Sequence, residues 1–250
     1  MILLVDIGNS NIVLGLANEQ DNTIHKLLRL KTLVDKTFDE YYLLFTNLLK
    51  DEQFEGVAIS SVVPIVTSAL KKMFESYYKI TPVILGPGTK SGIMLKADDP
   101  RSVGADLICD VAGALIHSNK VLVVDLGTAT KYIYAKDNAF LGVSIAPGVA
   151  ISMKALVSSA ALLPSFELQV PKKILGNNTI ACMQSGVIYG AAAQLDGMIE
   201  RIKEEIKEDD IDIIVTGGLA KIIVPLSKHK LIYNENLVLE GLLQIYKRNI

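Results

Sequence analysis

The sequence predicts an α/β protein made of two similar halves. Short apolar runs alternate with helical stripes along the chain, a pattern typical of α/β folds rather than of β-sandwiches. The same pattern occurs twice: an apolar strand is followed by Asp-x-Gly and then by mostly polar residues, at residues 3–11 (LLVDIGNSN) and at residues 121–130 (VLVVDLGTAT). A second apolar run follows each motif and predicts a hairpin. Because the motif recurs about half a chain later, the halves are expected to be duplicates.

The elements of the first half follow from their patterns. Residues 2–16 predict the first hairpin, and residues 38–50 predict a helix with a stripe of apolar side chains and acidic residues near its start. The other elements predicted here are a third strand, a buried strand, a helix and a short strand, over residues 24–30, 56–63, 66–78 and 82–85. The turn-rich residues 86–100 are interpreted as a linker or a substrate-facing loop.

A helix is predicted from Ser102, as its N-cap, to about His117. Asp106 and Asp110 are four residues apart and therefore share a face of this helix. The helix is otherwise rich in alanine and glycine, so we expect it to pack closely against another element.

The second half is predicted by the same reasoning. After its hairpin, the expected elements are a strand, a helix, an irregular segment, a long helix, a strand and a final helix, over residues 141–145, 151–161, 165–180, 181–208, 211–216 and 237–246. Gly217 and Gly218 are expected to open a further helix after the strand at 211–216.

The composition excludes several classes of function. Half of the 250 residues are hydrophobic and 21% are charged, a balance typical of soluble globular proteins. The net charge of -2 predicts neither a nucleic-acid partner nor a membrane partner. No apolar run approaches the roughly 18 residues that span a bilayer, and Asp6 comes too early for a secretory signal. We therefore expect a cytoplasmic protein.

Cysteine and histidine usage predicts no metal centre. Cys109 and Cys182 are far apart, form neither a disulfide framework nor a metal-binding spacing, and are both predicted to be buried thiols. The three histidines are scattered, which predicts no histidine cluster around a metal.

The two Asp-x-Gly loops are the first candidate sites. A carboxylate at a strand end, beside backbone amides and short polar side chains, suits Mg²⁺ and phosphate oxygens. Residues 6–11 alone are also compatible with an ordinary surface turn. The repeat at residues 125–130 favours the functional interpretation, because unrelated turns rarely share both the aspartate and its strand context. Gly217 and Gly218 add a weaker third loop, where the backbone can approach a phosphate closely.

Asp106 is the candidate general base. A carboxylate at a helix start can accept the proton of an attacking hydroxyl within hydrogen-bond reach. The alternative is favourable placement of a negative charge in the first turn of a helix. Asp110, one turn deeper, is the weaker candidate and is interpreted as a packing or capping partner.

Taken together, these motifs resemble type III pantothenate kinase. The matching segments cover nearly the whole chain in order: Asp6-x-Gly8-Asn9-Ser10, Gly104-Ala105-Asp106, Asp125-x-Gly127-Thr128-Ala129-Thr130, Ala146-Pro147-Gly148, Asn178-Thr179, Thr216-Gly217-Gly218-Leu219 and Leu239-Glu240-Gly241-Leu242. The resemblance implies an actin-like fold with ribonuclease-H-like halves at residues 1–117 and 118–250, whose mixed sheets are flanked by helices. It also implies a homodimer, a phosphotransferase with an alcohol acceptor, that phosphorylates pantothenate to 4'-phosphopantothenate in the first step of coenzyme A biosynthesis. The cofactors it implies are ATP, Mg²⁺ and a monovalent cation, K⁺ or NH₄⁺.

The resemblance also implies a role for individual residues. Asp106 is expected to be the base, Asp125 to hold the monovalent cation, and Asp6 to hold Mg²⁺ through phosphate. The residues implied in binding ATP and its phosphates are Asp6, Ile7, Gly8, Asn9, Ser10, Asn11, Ile12, Val13, Gly127, Thr128, Gly217 and Gly218. Those implied in binding pantothenate are Gly104, Ala105, Asp106, Leu107 and Thr179, the last of them across the dimer interface.

Three positions depart from the family pattern. Leu107 stands where the family usually has an arginine that pairs with the pantothenate carboxylate, and leucine cannot replace that contact. Ala97 aligns with a tyrosine that lies against the substrate. Lys131 lies where a threonine usually stands, and it is interpreted as neutralising phosphate charge or partly substituting for a cation. Arg101 is either the replacement partner of the carboxylate or a solvated loop residue.

These departures affect the acceptor side and leave alternatives open. One is a kinase for another small hydroxylated acceptor, and another is a non-catalytic nucleotide-binding or regulatory homologue. A nucleotide hydrolase on the same fold is a further alternative. The presence of Asp6, Asp106 and Asp125 together favours an active kinase.

Overall fold

The computed structural model describes residues 1–50, 52–159 and 163–250, with Lys26 described by its backbone alone. Eleven strands are found in the described residues: β1 Ile2–Ile7, β2 Asn11–Ala17, β3 Ile24–Lys31, β4 Gly56–Ser61, β5 Val83–Ile84, β6 Met94–Leu95, β7 Lys120–Leu126, β8 Ala129–Lys136, β9 Ala139–Pro147, β10 Asp212–Thr216 and β11 Ile232–Tyr233. The α-helices found there are α1 Phe38–Leu48, α2 Pro64–Met73, α3 Ala105–Ala114, α4 Val149–Ser159, α5 Thr179–Ile206, α6 Ala220–Ile223 and α7 Leu237–Lys247. The alternation of strands and helices confirms the predicted α/β class.

Five strands of each sheet follow the same order. In the first, β3, β2, β1, β4 and β5 lie side by side, with β1–β2 and β2–β3 antiparallel and β1–β4 and β4–β5 parallel. In the second, the corresponding order is β9, β8, β7, β10 and β11, with β7–β8 antiparallel and β7–β10 and β10–β11 parallel. A sixth strand, β6, pairs in parallel with β9 at the edge of this sheet. Each sheet thus places its first strand in the centre beside its own hairpin, which confirms the predicted duplication.

The chain forms two compact units. The first comprises residues 1–117, 137–140 and 236–250, and the second comprises residues 118–136 and 141–235. The division after residue 117 agrees with the expected boundary, whereas the final helix α7 groups with the N-terminal residues. The assignment of 1–117 and 118–250 as the two ribonuclease-H-like halves stays a prediction.

In the first unit, the sheet is covered on both faces. Alternate residues of β1 face opposite sides, so Leu3, Val5 and Ile7 pack in one cluster with side chains of α1 and α2. Ile2 and Leu4 face the other side, in a cluster that contains side chains of α3 and α7. All five side chains are at most 1% exposed, as expected for a central strand between two layers of helices.

Helix α3 packs on α7 through glycines, as its small residues predicted. A Cβ added at Gly241 would lie 2.7 Å from the amide nitrogen of Gly113 and 2.8 Å from the carbonyl carbon of Cys109. A Cβ added at Gly113 would in turn lie 3.1 Å from the amide nitrogen of Gly241. The two helices therefore approach each other more closely than any side chain at these positions would permit.

The start of α3 differs from the prediction. Ser102 is not the N-cap, because Pro100–Ser102 form a separate 3-10 turn that Asp99 caps. Ser102 Oγ donates a hydrogen bond to the Asp99 carbonyl instead, at 2.7 Å. Gly104 is the N-cap, and the regular helix ends at Ala114, with tighter turns continuing to His117.

The other predicted elements are found with shifts of a few residues at their ends. Helix α2 ends at Met73, and the last turns of the predicted helix are a π-helical segment, Phe74–Tyr78. Strand β9 continues through Pro147, where a turn was expected. The predicted end of the next helix, at Ala161, lies outside the described residues. The described residues include no helix long and apolar enough to cross a membrane.

Glu208, just after the end of α5, forms ion pairs with lysines of β7 and β8 in the second unit. Its carboxylate oxygens lie 2.6 Å from Lys120 Nζ and 2.6 Å from Lys136 Nζ. Tyr134 Oη also donates a hydrogen bond to it, at 3.3 Å. The hydrogen bonds from Lys120 and Lys136 lower the pKa of Glu208 to about 2, from its ordinary 4.5.

We expect Glu208→Gln to reduce stability in a pH-dependent way. Because the folded-state pKa is lowered, the contribution of Glu208 is fully present above about pH 4.5 and is lost as the pH falls towards about 2. Urea unfolding at several pH values should therefore show a deficit in the variant that shrinks over that window. Glu205→Gln, which removes an exposed carboxylate from the last turn of α5, three residues before Glu208, is the control and should show no such window. A deficit that is independent of pH would contradict this account.

Candidate active site

The first Asp-x-Gly turn is held in place by Thr32, the residue directly after β3. Asp6 lies near the end of β1, and Gly8 N–H donates to the Asn11 carbonyl at 2.9 Å to close the turn. The hydroxyl of Thr32 donates to the Gly8 carbonyl at 2.7 Å, and Thr32 N–H donates to the Ser10 carbonyl at 3.1 Å. These hydrogen bonds fix the turn before any ligand binds.

The predicted phosphate-binding residues of this turn differ in their exposure to solvent. The exposed side chains, which can reach a ligand, belong to Asn9, Ser10 and Asn11. Ile7 and Ile12 are 0% exposed and belong to the core beneath the turn, so their place among the ATP-binding residues stays a prediction. Val13 is half-buried and packs against the cluster that contains α3 and α7.

Asp106 lies in the first turn of α3. Its Oδ1 accepts a hydrogen bond from Leu107 N–H at 3.0 Å, and a Cβ added at Gly104 would lie only 2.5 Å from the same oxygen. Glycine at position 104 is therefore what lets this carboxylate fold back over the helix start.

Asp6, Asp106 and Asp110 lie in one neighbourhood of the first unit, around the buried thiol of Cys109. Burial raises the pKa of the Cys109 thiol well above its ordinary value, and the charge of Asp6 raises it further. Asp110 and Asp106 contribute in the same direction. The three carboxylates therefore all lie within electrostatic range of Cys109, and Asp110 is fully buried.

The positions that concern binding of the acceptor are Leu107, Arg101 and Ala97. Leu107 is only 8% exposed, so position 107 offers no polar group to a ligand. The side chain of Arg101 is 82% exposed, and its Nε lies 3.0 Å from Asp99 Oδ1. This agrees with the interpretation of Arg101 as a solvated loop residue. Ala97 is half-buried in the segment after β6.

The second Asp-x-Gly turn, in the second unit, is enclosed by two glycines from other segments. A Cβ added at Gly148 would lie 2.6 Å from the Gly127 carbonyl oxygen and would also collide with that of Thr128. Gly217 has a φ of +97°, and a Cβ there would lie 2.6 Å from the carbonyl carbon of Leu126. The Ala-Pro-Gly and Thr-Gly-Gly motifs therefore meet at this turn, where Thr128 is exposed.

Asp125, at the end of β7, contacts Lys131 of the same hairpin. Lys131 Nζ lies 2.7 Å from Asp125 Oδ2. The two side chains are opposite each other because the register pairs Leu126 with Thr130 and leaves three residues, 127–129, to connect the strands.

Thr179 is exposed at the start of α5. Asn178 caps this helix by accepting a hydrogen bond from Ala181 N–H at 3.0 Å. The prediction that Cys182 is buried is wrong: it is exposed on the first turns of α5, whereas Cys109 is buried as expected. No large side chain of the described residues covers the thiol of Cys182, which lines a groove on α5.

A groove between α4 and α5 was not anticipated from the sequence. It encloses about 490 Å³ and is lined by residues of both helices, among them Val149, Ser152, Leu156, Cys182, Met183 and Gly186. The recurrence of small residues at positions 182, 186 and 190 of α5 was the available signal. Large apolar side chains are exposed in this region, including Ile151, Leu156, Val170, Ile174, Leu175 and Ile180.

The described residues include no group of three or more histidine, cysteine, aspartate or glutamate side chains that could hold a metal ion. The candidate carboxylates can therefore supply only part of a coordination shell by themselves. Ions such as Mg²⁺ commonly bind through one or two carboxylates together with substrate phosphates.

Comparison with known proteins decides the family. The family model described as type III pantothenate kinase matches residues 2–201. The chain belongs to the type III pantothenate kinase family. A relative in Acholeplasma laidlawii named type III pantothenate kinase is 47% identical over 250 residues, covering 100% of both chains. One of the same name in Bacillus cytotoxicus is 42% identical, covering 100% of this chain and 97% of the relative.

Solved structures share the fold at low sequence identity. A Baf family protein of Campylobacter jejuni, described as a transcriptional activator, is 21% identical with a TM-score of 0.60, covering 99% of this chain and 98% of the other. The polyphosphate/ATP-glucomannokinase of an Arthrobacter strain is 13% identical with a TM-score of 0.52, covering 98% of both. At such identities the likeness concerns the fold alone. It confirms the predicted actin-like α/β fold for this type III pantothenate kinase family member.

Proposed function

We propose that the protein transfers the γ-phosphoryl group of ATP to the primary hydroxyl of pantothenate, the first step of coenzyme A biosynthesis. The observation that carries this proposal is the match to type III pantothenate kinases over the whole chain, at 42–47% identity. The positions of Asp6 and Asp106, which lie in one neighbourhood, support it chemically.

Asp106 is proposed to act as the general base. The pantothenate hydroxyl oxygen attacks the γ-phosphorus, a new O–P bond forms, and the bond from the γ-phosphorus to the bridging oxygen of ADP breaks. The hydroxyl proton passes to the Asp106 carboxylate and then to solvent, so the products are ADP, 4'-phosphopantothenate and a proton. Asp106 Oδ1 is fixed by Leu107 N–H at 3.0 Å, which presents the carboxylate in one orientation.

The two Asp-x-Gly turns are proposed to bind the ATP phosphates. In the first unit, the exposed tip of residues 9–11 supplies polar groups on a turn that Thr32 holds rigid, and the remaining residues of the proposed segment 6–13 flank that tip. In the second unit, the proposed contacts come from Gly127, Thr128, Gly217 and Gly218. Phosphoryl transfer depends chiefly on positioning and charge neutralisation, so backbone amides and hydroxyls on fixed turns suit it.

Asp6 is proposed to hold Mg²⁺ through the ATP phosphates. Its carboxylate is a hard oxygen donor of the kind that Mg²⁺ prefers, and Asp106 and Asp110 add negative charge in the same neighbourhood. When bound, Mg²⁺ neutralises charge on the phosphate oxygens. The resemblance also implies a monovalent cation at Asp125. In this chain, however, Lys131 already contacts that carboxylate.

The protein is proposed to be a homodimer. The residues proposed to bind pantothenate, besides Asp106, are Gly104, Ala105, Leu107 and Thr179. The exposed apolar side chains near the groove between α4 and α5 support a second copy as the partner. Thr179 is exposed in the same unit, at the start of α5, as a contact to the substrate of a second copy requires.

A second candidate function is a kinase for another small hydroxylated acceptor, and Leu107 is the residue that favours it. A buried leucine cannot pair with a carboxylate, and Arg101 is engaged with Asp99. If this candidate were correct, an acceptor without a carboxylate would be phosphorylated faster than pantothenate.

The test is the rate of ADP formation with Mg-ATP and KCl, measured with pantothenate, with its carboxamide analogue, and with no acceptor. We expect ADP formation to require pantothenate, because the acceptor hydroxyl is the nucleophile. Faster turnover of the carboxamide would favour the second candidate. ADP formation at the same rate without any acceptor would contradict the proposal and indicate a hydrolase.

A further inference from the structure

Asp125 and Lys131 form a charged pair within the second unit. They are direct cross-strand neighbours in the antiparallel pairing of β7 with β8, and Lys131 Nζ lies 2.7 Å from Asp125 Oδ2. The side chain of Asp125 is only 13% exposed and that of Lys131 only 15%. The pair is therefore a shielded contact in fixed register, in contrast to a mobile ion pair in solvent.

Two glycines enclose the same carboxylate. A Cβ added at Gly217 would lie 2.7 Å from Asp125 Oδ1, and one added at Gly127 would lie 3.2 Å from both carboxylate oxygens. The backbone of each segment thus comes close to Asp125, and Oδ2 is bound by the ammonium group of Lys131. Little room is left around this carboxylate for a further ligand.

These residues do not fit a bound K⁺ or NH₄⁺ ion at Asp125. Such an ion would have to share the carboxylate with an ammonium group of the same charge, and the two cations would repel each other across a few ångströms in a shielded site. Lysine is a compact point charge that binds phosphate readily, so its ammonium group can supply the same single positive charge. Being tethered, it supplies that charge at any salt concentration.

We propose that the ammonium group of Lys131 takes the place of the monovalent cation at Asp125, so that phosphoryl transfer by this protein does not depend on K⁺ or NH₄⁺. Lys131 then neutralises negative charge near the second phosphate-binding turn, while Asp125 holds it in position. The inference rests on the proposed function for its kinetic consequence, and on the geometry of Asp125 alone for its consequence for ion binding.

The kinetic test compares ADP formation in KCl with that in choline chloride of equal ionic strength, for the wild-type protein and for Lys131→Met. We expect wild-type turnover to differ by less than about twofold between the two salts. Lys131→Met should lose about 100-fold in choline chloride, the usual effect of removing one preorganised charge, and should recover part of it in KCl. Lys230→Met, at an exposed lysine of the same unit, is the matched control and should behave as the wild type.

A stability readout makes the test independent of catalysis. An ion that binds only the folded protein raises its melting temperature. We expect the same melting temperature in KCl and in choline chloride for the wild-type protein, and a KCl-specific increase for Lys131→Met, in which Asp125 is freed from the ammonium group.

The outcomes separate the inference from the proposed function. Wild-type turnover that requires K⁺, a K⁺-specific rise in the wild-type melting temperature, or full activity of Lys131→Met in choline chloride would each overturn the inference and leave the kinase proposal intact. If no acceptor is phosphorylated in either salt, the kinase proposal fails. The melting temperatures then still decide whether Lys131 excludes the cation.

Discussion

Asp106→Asn is expected to lower pantothenate-dependent ADP formation by a factor of about 10²–10⁴, the range that a positioned general base typically contributes. Asparagine has nearly the same shape, and its amide oxygen can still accept the hydrogen bond from Leu107 N–H that the carboxylate accepts at 3.0 Å. What it loses is the ability to take the proton of the attacking hydroxyl. The loss should therefore appear in kcat, while the KM for ATP changes little.

A control variant separates loss of the base from loss of a negative charge. Asp98→Asn removes an exposed carboxylate eight positions earlier in the chain and should retain wild-type turnover. The melting temperature of Asp106→Asn should stay close to that of the wild type. Asp106→Asn with undiminished pantothenate-dependent turnover would exclude Asp106 as the base.

Gly241→Ala is expected to destabilise the protein by about 3 kcal/mol or more, the upper part of the range for overpacking a well-packed core. The added Cβ would lie 2.7 Å from the amide nitrogen of Gly113 and 2.8 Å from the carbonyl carbon of Cys109. Both contacts are with backbone, which cannot rotate away as a side chain can, so α7 has to shift relative to α3. For a chain of this length the cost corresponds to a fall in melting temperature of about 6–12 °C.

Gly197→Ala is the matched control for that prediction. Gly197 lies within α5, and a Cβ added there would meet nothing within 4 Å. Alanine is the better helix former by about 1 kcal/mol, so this variant should be slightly more stable than the wild type. Equal melting temperatures for the two variants would contradict the close approach of α3 and α7.

The fold was largely predictable because its signals are local. The strand before each Asp-x-Gly motif and the apolar run after it identified both central hairpins, which lie in sheets whose five corresponding strands follow the same order. The N-cap of α3 was not predictable in this way. Ser102 has the right chemistry for a cap, but Asp99 and Pro100 form their own turn and use its hydroxyl, so that Gly104 begins the helix.

The sequence names candidate site residues one by one, and their roles stay predictions, whereas the contacts among them depend on tertiary structure. Nothing local indicates that Gly148 and Gly217 would approach the turn at Gly127, because they come from segments distant in the chain. The exposure of Cys182 was likewise missed. A cysteine among small apolar residues is typical of a buried position, but in this chain those residues line a groove that the chain itself does not fill.

The central claim is that this chain phosphorylates pantothenate, and its most direct test follows the γ-phosphorus of ATP with a radioactive label. The reaction contains Mg²⁺, KCl and pantothenate, so that the result does not depend on how Lys131 acts. We predict that the label appears in 4'-phosphopantothenate in an amount equal to the ADP formed, and that Asp106→Asn slows this transfer by a factor of about 10²–10⁴. Label recovered only as inorganic phosphate, or left in ATP, would contradict the account.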